Sequence, residues 1–254
     1  MPYHIGFSRA DLGNNPPRTA LLSGEPERSR HIANTYLENV KLLSQYRGLN
    51  SYLGNLPNGK PLLIATSGMG APSTSIVVNE LAQVGIQKII RIGTCGSIQP
   101  LVKVGSVVIS QAALCRQGAA LDIAPVEYPA VADPFVTVAL AEQAQQLNYE
   151  CHVGITASVD TFYEGQVRTE SSVNPHLQPW LVGTIENYRQ LKILNYEMES
   201  GTLFKLGSVY GLKIGCICAV VAQRDQAEAI LIEQKQTAVT RAIEIAISTV
   251  TNLA

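Results

Sequence analysis

The stretch Lys88-Ile89-Ile90-Arg91-Ile92-Gly93-Thr94-Cys95-Gly96 decides the fold, because an apolar run that breaks into small residues indicates a buried strand and a turn. Arg91 lies within that run. Burying an unpaired guanidinium is very costly, so Arg91 must have an anionic partner. The glycines beside it allow the backbone to approach a ligand closely. The partner is either a protein carboxylate or an anionic ligand such as phosphate, and this stretch alone favours neither.

Strands and helices alternate on both sides of this stretch. Apolar runs predict strands at residues 19–22, 52–56, 62–66, 88–94, 106–110, 152–157, 196–198 and 214–222. Amphipathic patterns predict helices that begin near residue 26 and that span residues 73–84, 132–147, 200–210 and 232–250. No repeat or linker interrupts the pattern. We therefore predict a single domain over residues 1–254, in which helices cover both faces of a mainly parallel sheet.

The composition excludes several classes of function. The net charge is −1, from 19 basic and 20 acidic residues, so there is no basic field to attract nucleic acid or a membrane surface. No apolar run reaches the roughly 18 residues that a membrane span requires. The five cysteines are scattered without the spacing of metal ligands, which indicates reduced thiols. We predict a cytoplasmic protein with no nucleic-acid partner, no membrane partner and no metal site.

Polar and small residues collect where the predicted strands end. In α/β sheets, ligands bind at the carboxyl ends of the strands, and several such ends together describe one pocket. The residues at these ends are Gly24, Gly68, Thr94, Gly96, Ser158, Glu197, Glu199 and Arg224. Gly68-Met69-Gly70 has part of a dinucleotide-binding pattern, but Ser73 occupies the third glycine position, which disfavours a nicotinamide cofactor.

Two short segments carry the chemistry. In Asn195-Tyr196-Glu197-Met198-Glu199-Ser200 the two carboxylates point to one side if the chain is extended, where they could hold vicinal hydroxyls above a methionine. The alternative is a carboxylate that caps the helix beginning at Ser200. The segment 158–168 offers the aromatic ring of Phe162, the amide of Gln166 and the guanidinium of Arg168, which suit the edge of a planar ring with carbonyl groups. A polar surface loop is the alternative there.

Longer motifs resemble the nucleoside phosphorylase superfamily of the hexameric, trimer-of-dimers type, and within it the uridine phosphorylase family. The resemblance runs from about His4 to Ala246 and is densest at residues 24–28, 68–85, 91–100, 124–133, 156–168 and 195–200. It implies an α/β fold, a single-domain three-layer sandwich with a mixed, largely parallel central sheet flanked by helices. It also implies reversible phosphorolysis of uridine to uracil and ribose 1-phosphate, with phosphate as co-substrate and no cofactor.

The resemblance also implies roles for individual residues, with Arg91, Glu199 and Arg168 as the catalytic group. The phosphate would be bound by Gly24, Arg28, Arg91 and Thr94, and by Arg47 of a neighbouring subunit. The ribose would be bound by Met198, Glu199 and a neighbouring His4. The base would be framed by Thr94, Gly96, Phe162, Gln166, Arg168 and Glu197. The resemblance also implies a homohexamer built from dimers with shared active sites.

Related activities remain as alternatives. Purine-specific members have an aspartate where this chain has Arg224, which favours a pyrimidine base. A nucleosidase that uses water has no need of the three arginines at 28, 47 and 91, and neither does a non-catalytic nucleoside-binding protein. Uridine phosphorylases often hold a potassium ion with an acidic residue after the phosphate-binding arginine, but Gly48 stands there in this chain. Residues 225–233 are expected to form a mobile lid.

Overall fold

The computed structural model describes residues 2–224 and 232–253. The strands are β1 (Thr19–Ser23), β2 (Glu38–Ser44), β3 (Ser51–Asn55), β4 (Pro61–Thr66), β5 (Lys88–Ser97), β6 (Val107–Arg116), β7 (Cys151–Val159), β8 (Asn195–Glu197) and β9 (Lys213–Gln223). The helices are α1 (Pro26–Tyr36), α2 (Ala71–Gln83), α3 (Gly118–Leu121), α4 (Pro134–Gln146), α5 (Thr184–Gln190), α6 (Ser200–Tyr210) and α7 (Ile232–Asn252).

The strands form one mixed sheet in the order β2-β3-β4-β1-β5-β8-β7-β6-β9. Strand β5 also pairs with β9 in parallel, so β5, β8, β7, β6 and β9 close into a ring. Pairing is parallel for β1 with β4 and with β5, and antiparallel for β5 with β8 and for β6 with β9. The long strand β5 therefore belongs to both the open part of the sheet and the ring.

Helices cover the sheet on both faces because side chains alternate along each buried strand. On β5, Ile89 packs into a core with Val77 of α2 and Phe204 of α6. The next residue, Ile90, packs into a second core on the opposite face, with helices α1, α4 and α7. The three-layer architecture predicted from the sequence is confirmed.

Most predicted elements occur at or near the predicted positions, including the hairpin of β3 and β4. The structure adds β2, α3 and α5, which the sequence patterns did not predict. Strand β2 is largely exposed on both faces and lacks an apolar run. Strand β6 is longer than predicted because its second half, which is only partly buried, still pairs with β7.

Two further predictions concern membrane spans and a lid. Within residues 2–224 and 232–253, no helix combines the length and the apolar character needed to cross a membrane. The predicted lid at residues 225–233 lies outside the described residues, apart from the start of the α7 backbone. Its lid role stays a prediction.

Candidate active site

A cavity of about 480 Å³ lies at the carboxyl ends of β1, β5, β8 and β9. Its lining contains most of the residues predicted from the sequence, which are Gly24, Arg28, Arg91, Thr94, Gly96, Phe162, Gln166, Arg168, Glu197, Met198 and Glu199. The described lining also includes Cys95, Tyr196, Val221 and Ala222, which sequence reasoning did not assign. These apolar groups lie on strands already predicted, so only the three-dimensional arrangement could identify them.

Arg91 is buried, and its charge is balanced by two carboxylates of the β8–α6 turn. Its Nη2 donates to Oε2 of Glu199, and its Nη1 lies 3.8 Å from Oε2 of Glu197. Burial is the largest single effect and lowers the pKa of Arg91, but the combined attraction of Glu199, the two neighbouring thiols and Glu197 outweighs it, so the pKa is raised well above its ordinary value. Nε has no hydrogen-bond partner among the described residues. Of the two partners that the sequence left open, the structure contains the protein carboxylate.

The guanidinium of Arg91 fits only because residue 93 is a glycine. A Cβ atom at Gly93 would lie 1.8 Å from Nη1 of Arg91 and 3.0 Å from Sγ of Cys218. Nη1 itself lies 3.5 Å from Sγ of Cys218, so the thiol fills the space behind the cation. The small-residue turn noted in the sequence thus makes room for a buried side chain as well as for a ligand.

Arg28 brings a second cation to the same end of the cavity. Its Nη1 donates to the carbonyl of Ile92 at 3.3 Å, and its Nη2 donates to Oε2 of Glu25 at 2.8 Å. Burial lowers the pKa of Arg28, Glu25 opposes that effect, and the charge of Arg91 lowers it further. Two guanidinium groups that repel each other across a largely buried space favour an anion between them.

The two glutamates of the β8–α6 turn have different partners. Oε1 of Glu199 accepts from the backbone N–H of Gly70 at 2.7 Å, and Oε2 faces Arg91. Oε2 of Glu197 accepts from the N–H groups of Glu199 and Ser200, each at 2.9 Å. Burial raises the pKa of Glu197 to about 7, and the nearby charge of Glu199 adds to this effect. The capping role considered for this segment therefore belongs to Glu197, while Glu199 faces the cavity.

The other end of the cavity is lined by the loop that follows β7. Arg168 is buried, and its guanidinium carbon lies 4.2 Å from the centre of the Phe162 ring. Its Nε donates to Oε1 of Gln166 at 3.3 Å. Arg168 thus contacts both of the other side chains predicted to read a planar base. A surface loop would leave Gln166 and Arg168 exposed, and they are 3% and 8% exposed.

Arg224 connects this loop to the end of β9. Its Nη1 donates to the carbonyl of Gln166, and its Nη2 donates to the carbonyl of Val167 at 3.1 Å. Val167 has a φ of 57°, in the left-handed region that a β-branched residue rarely adopts. Arg224 therefore holds a strained turn between Gln166 and Arg168, a supporting role that the sequence did not indicate.

His4 and Arg47 are not among the described residues that line the cavity. Nδ1 of His4 lies 2.7 Å from Oε1 of Glu80, which also accepts from backbone N–H groups of the N-terminal segment. Arg47 is exposed, and its guanidinium carbon lies 5.3 Å from the centre of the Tyr3 ring. Their roles in a neighbouring subunit's site stay predictions.

One group of potential metal ligands occurs in the described part of the chain. Ligand atoms of Glu197, Cys216 and Cys218 lie within 4.8 Å of one another. All three residues are buried, and the cationic Arg91 lies against Cys218. A fixed positive charge at that distance disfavours a metal ion. The prediction that the chain holds no metal stays a prediction.

Comparison with known proteins agrees with this architecture. A family model described as the phosphorylase superfamily matches residues 18–252. The chain is 41% identical over 226 residues to the uridine phosphorylase of Salmonella typhimurium, across 89% of this chain and 87% of that protein. The uridine phosphorylase of Thermococcus kodakarensis is 39% identical over 224 residues, across 88% of this chain and 78% of its own.

A purine-specific relative is more distant. The DeoD-type purine nucleoside phosphorylase of Bacillus velezensis is 32% identical over 252 residues, across 98% of this chain and 100% of its own. The matches extend over nearly the whole chain, and the cavity assembles the motifs on which the resemblance was based. The chain therefore belongs to the phosphorylase superfamily.

Proposed function

We propose that this protein catalyses the reversible phosphorolysis of uridine to uracil and ribose 1-phosphate. One observation carries the proposal: a single cavity has two guanidinium groups at one end and an amide with a guanidinium at the other. The Glu199 carboxylate lines the same cavity and contacts Arg91. The cavity thus offers cations for a phosphate, a carboxylate for sugar hydroxyls, and an amide with a guanidinium for a base.

The cationic end suits the phosphate nucleophile. Arg28 and Arg91 supply donors in a largely buried space, where electrostatic interactions are stronger than in water. In this proposal phosphate competes with Glu199 for the guanidinium of Arg91. Gly24 and Thr94 line the same end, and glycine allows close approach of the backbone to an anion.

The side chains of Met198 and Glu199 suit the ribose. An ionised carboxylate only accepts hydrogen bonds, so Glu199 can accept from the sugar hydroxyls. Met198 offers a soft apolar surface beneath the ring. Cleavage of the glycosidic bond builds positive charge on the sugar. A carboxylate and a phosphate beside that charge stabilise the transition state more than the ground state.

The far end suits a pyrimidine base. The amide of Gln166 can donate and accept, and Arg168 donates only, which together match carbonyl oxygens and the N–H between them. Negative charge builds on the base as it leaves, and a preorganised guanidinium favours that charge. Thr94, Gly96, Phe162 and Glu197 would complete this end. No acid that would protonate the base is required, because uracil leaves as an anion.

Two other activities are weaker candidates. A purine phosphorylase would need a group that protonates the base, and at the end of β9 the described chain has Arg224 bonded to the carbonyls of residues 166 and 167. A nucleosidase or a simple nucleoside-binding protein would not need two buried arginines that repel each other. The relatives named as uridine phosphorylases are also more similar to this chain than the purine-specific one.

The test is a panel of nucleosides with and without phosphate, followed by release of the free base. We expect rapid release of uracil from uridine that depends on phosphate, and little release from inosine or adenosine. Faster phosphorolysis of inosine would contradict the pyrimidine assignment. Equal release without phosphate would indicate a nucleosidase, and no release with measurable uridine binding would indicate a binding protein.

We further propose a cytoplasmic homohexamer, built from dimers that share active sites, in a pathway of pyrimidine salvage. His4 and Arg47 lie away from the cavity of their own chain, which supports a role across an interface. Mixing an Arg47→Ala variant with an Arg91→Ala variant should restore part of the activity through hybrid sites. Failure to recover activity in stable mixed oligomers would contradict shared sites. Because Gly48 replaces the usual acidic residue, we expect added potassium to have little effect.

A further inference from the structure

The residue at the N-cap position of helix α6 does not cap the helix. The first four N–H groups of a helix have no partner within the helix, and the side chain of the N-cap residue normally accepts from one of them. Glu199 occupies the N-cap position, yet within the described chain its carboxylate makes no such bond. It faces Arg91 and the N–H of Gly70 instead. A carboxylate is thus directed away from the helix end that would attract it.

Other side chains accept hydrogen bonds from the N–H groups that the Glu199 carboxylate does not bond. The N–H groups of Glu199 and Ser200 donate to Glu197, as described above. The N–H of Gly201 donates to Oγ of Ser158 at 3.0 Å. The N–H of Thr202 donates to Oε1 of Gln117 at 2.8 Å. All four N–H groups at the start of α6 are therefore bonded to side chains from outside the helix.

These outside groups are buried. Ser158 is 0% exposed and Gln117 is 3% exposed, and they come from the ends of β7 and β6. Nε2 of Gln117 donates to the carbonyl of Met198 at 2.6 Å, so one amide bonds both the turn and the helix. Oε1 of Gln117 also accepts from Oγ1 of Thr202 at 2.8 Å.

We propose that Gln117 and Ser158 are positioning residues, which cap α6 in place of Glu199 and so keep the Glu199 carboxylate directed to the sugar and Arg91. Without them, two buried N–H groups would lack acceptors, and the positive end of the helix would attract the carboxylate of the N-cap residue Glu199 away from Arg91 and Gly70. The inference rests on the proposed function only in assigning the sugar as the ligand of Glu199.

The main variant is Gln117→Met, which keeps the length of the side chain and removes its amide. We expect the affinity for ribose 1-phosphate to fall by roughly five- to tenfold, the factor that corresponds to one helix cap. The affinity for uracil, which contacts the other end of the cavity, should change by less than about twofold. Thr202→Val is the matched control, because it removes one bond to Gln117 and leaves the backbone N–H capped. It should bind ribose 1-phosphate as the wild type does.

A double-mutant cycle separates positioning from simple structural support. If Glu199 turns to cap the helix when Gln117 is replaced, it will partly restore stability. Gln117→Met should then lower the melting temperature less in the wild type than in a Glu199→Ala background, where no carboxylate can replace the amide. Equal losses in both backgrounds, or equal losses of affinity for ribose 1-phosphate and uracil, would overturn the inference.

The proposed function and the positioning role of Gln117 can be tested independently of each other. The melting experiment requires no substrate, so it tests the capping role even if the wild type does not cleave uridine. If the wild type cleaves uridine and the cycle shows no coupling, the proposed function stands and the positioning role of Gln117 is wrong. Gln117→Glu provides a rescue test, because its carboxylate retains the acceptor for Thr202. It should keep more affinity for ribose 1-phosphate than Gln117→Met.

Discussion

Removing the guanidinium of Arg168 should reduce catalysis on uridine without unfolding the protein. Arg168 stacks on Phe162 at 4.2 Å and donates to Gln166 at 3.3 Å. A cation–π contact and a hydrogen bond of this kind each contribute about 1 kcal/mol, so Arg168→Ala should cost roughly 2 kcal/mol of folding stability. Its catalytic cost should be larger, because a preorganised donor in a site shielded from water contributes about 3–4 kcal/mol to transition-state stabilisation.

We therefore expect kcat/KM for uridine to fall by two to three powers of ten, roughly, in steady-state phosphorolysis. The affinity for ribose 1-phosphate should change little, because that ligand does not reach the loop after β7. Glu199→Ala is the comparison, and it should weaken uridine and ribose 1-phosphate alike. If Arg168→Ala weakened ribose 1-phosphate as much as it reduced uridine turnover, Arg168 would bind phosphate or support the fold, and its assignment to the base would be wrong.

Three further predictions concern buried charge and close packing in the fold. Because the pKa of Glu197 is raised from 4.5 to about 7, its contribution to stability is complete below pH 4.5 and is lost as the pH rises to about 7. As the pH rises across that range, the melting temperature of Glu197→Gln should therefore increase relative to that of the wild type. A difference that stays constant with pH would refute the assignment. Hydrogen bonds to Glu80 outweigh its burial and lower its pKa, so that its contribution is present above pH 4.5 and is lost below it. The melting-temperature difference between wild type and Glu80→Gln should accordingly shrink on acidification below that value. Gly93→Ala should displace Arg91 from its carboxylate and cost about 3–5 kcal/mol in denaturant unfolding, whereas Gly118→Ala, whose Cβ would lie 3.6 Å from its nearest contact, should cost far less.

The parts of this fold that local patterns determine were predictable from the sequence. The apolar run around Arg91 and the turn between β3 and β4 gave correct strands, because burial and turn chemistry act over a few residues. The cavity lining was predictable through longer motifs, because residues 24–28 follow β1, residues 91–96 lie in the later part of β5, and residues 195–200 include β8, which pairs with the end of β5.

The remaining features depend on contacts between distant segments. The ring closes through pairing of β5 with β9, which no local pattern specifies. The partner of Arg91 lies 108 positions away in the sequence. Gln117 looks like an ordinary polar residue in a turn until Thr202 and Met198 are brought to it. Such side chains have no signature of their own, because their role is defined by what the fold places beside them.

The closed ring also leaves this sheet with little opportunity for unwanted association. A sheet normally has two outer strands whose unpaired N–H and C=O groups can recruit a foreign strand. Here β9 turns back onto β5, so β2 is the one terminal strand of the described sheet. Its pairing with β3 is interrupted by shifts between Glu38 and Lys41 and between Leu42 and Ser44, and Asn39 has a φ of 53°. An irregular, lysine-bearing border of this kind is a poor template for fibril growth, so the folded protein should resist strand-mediated aggregation even at high concentration.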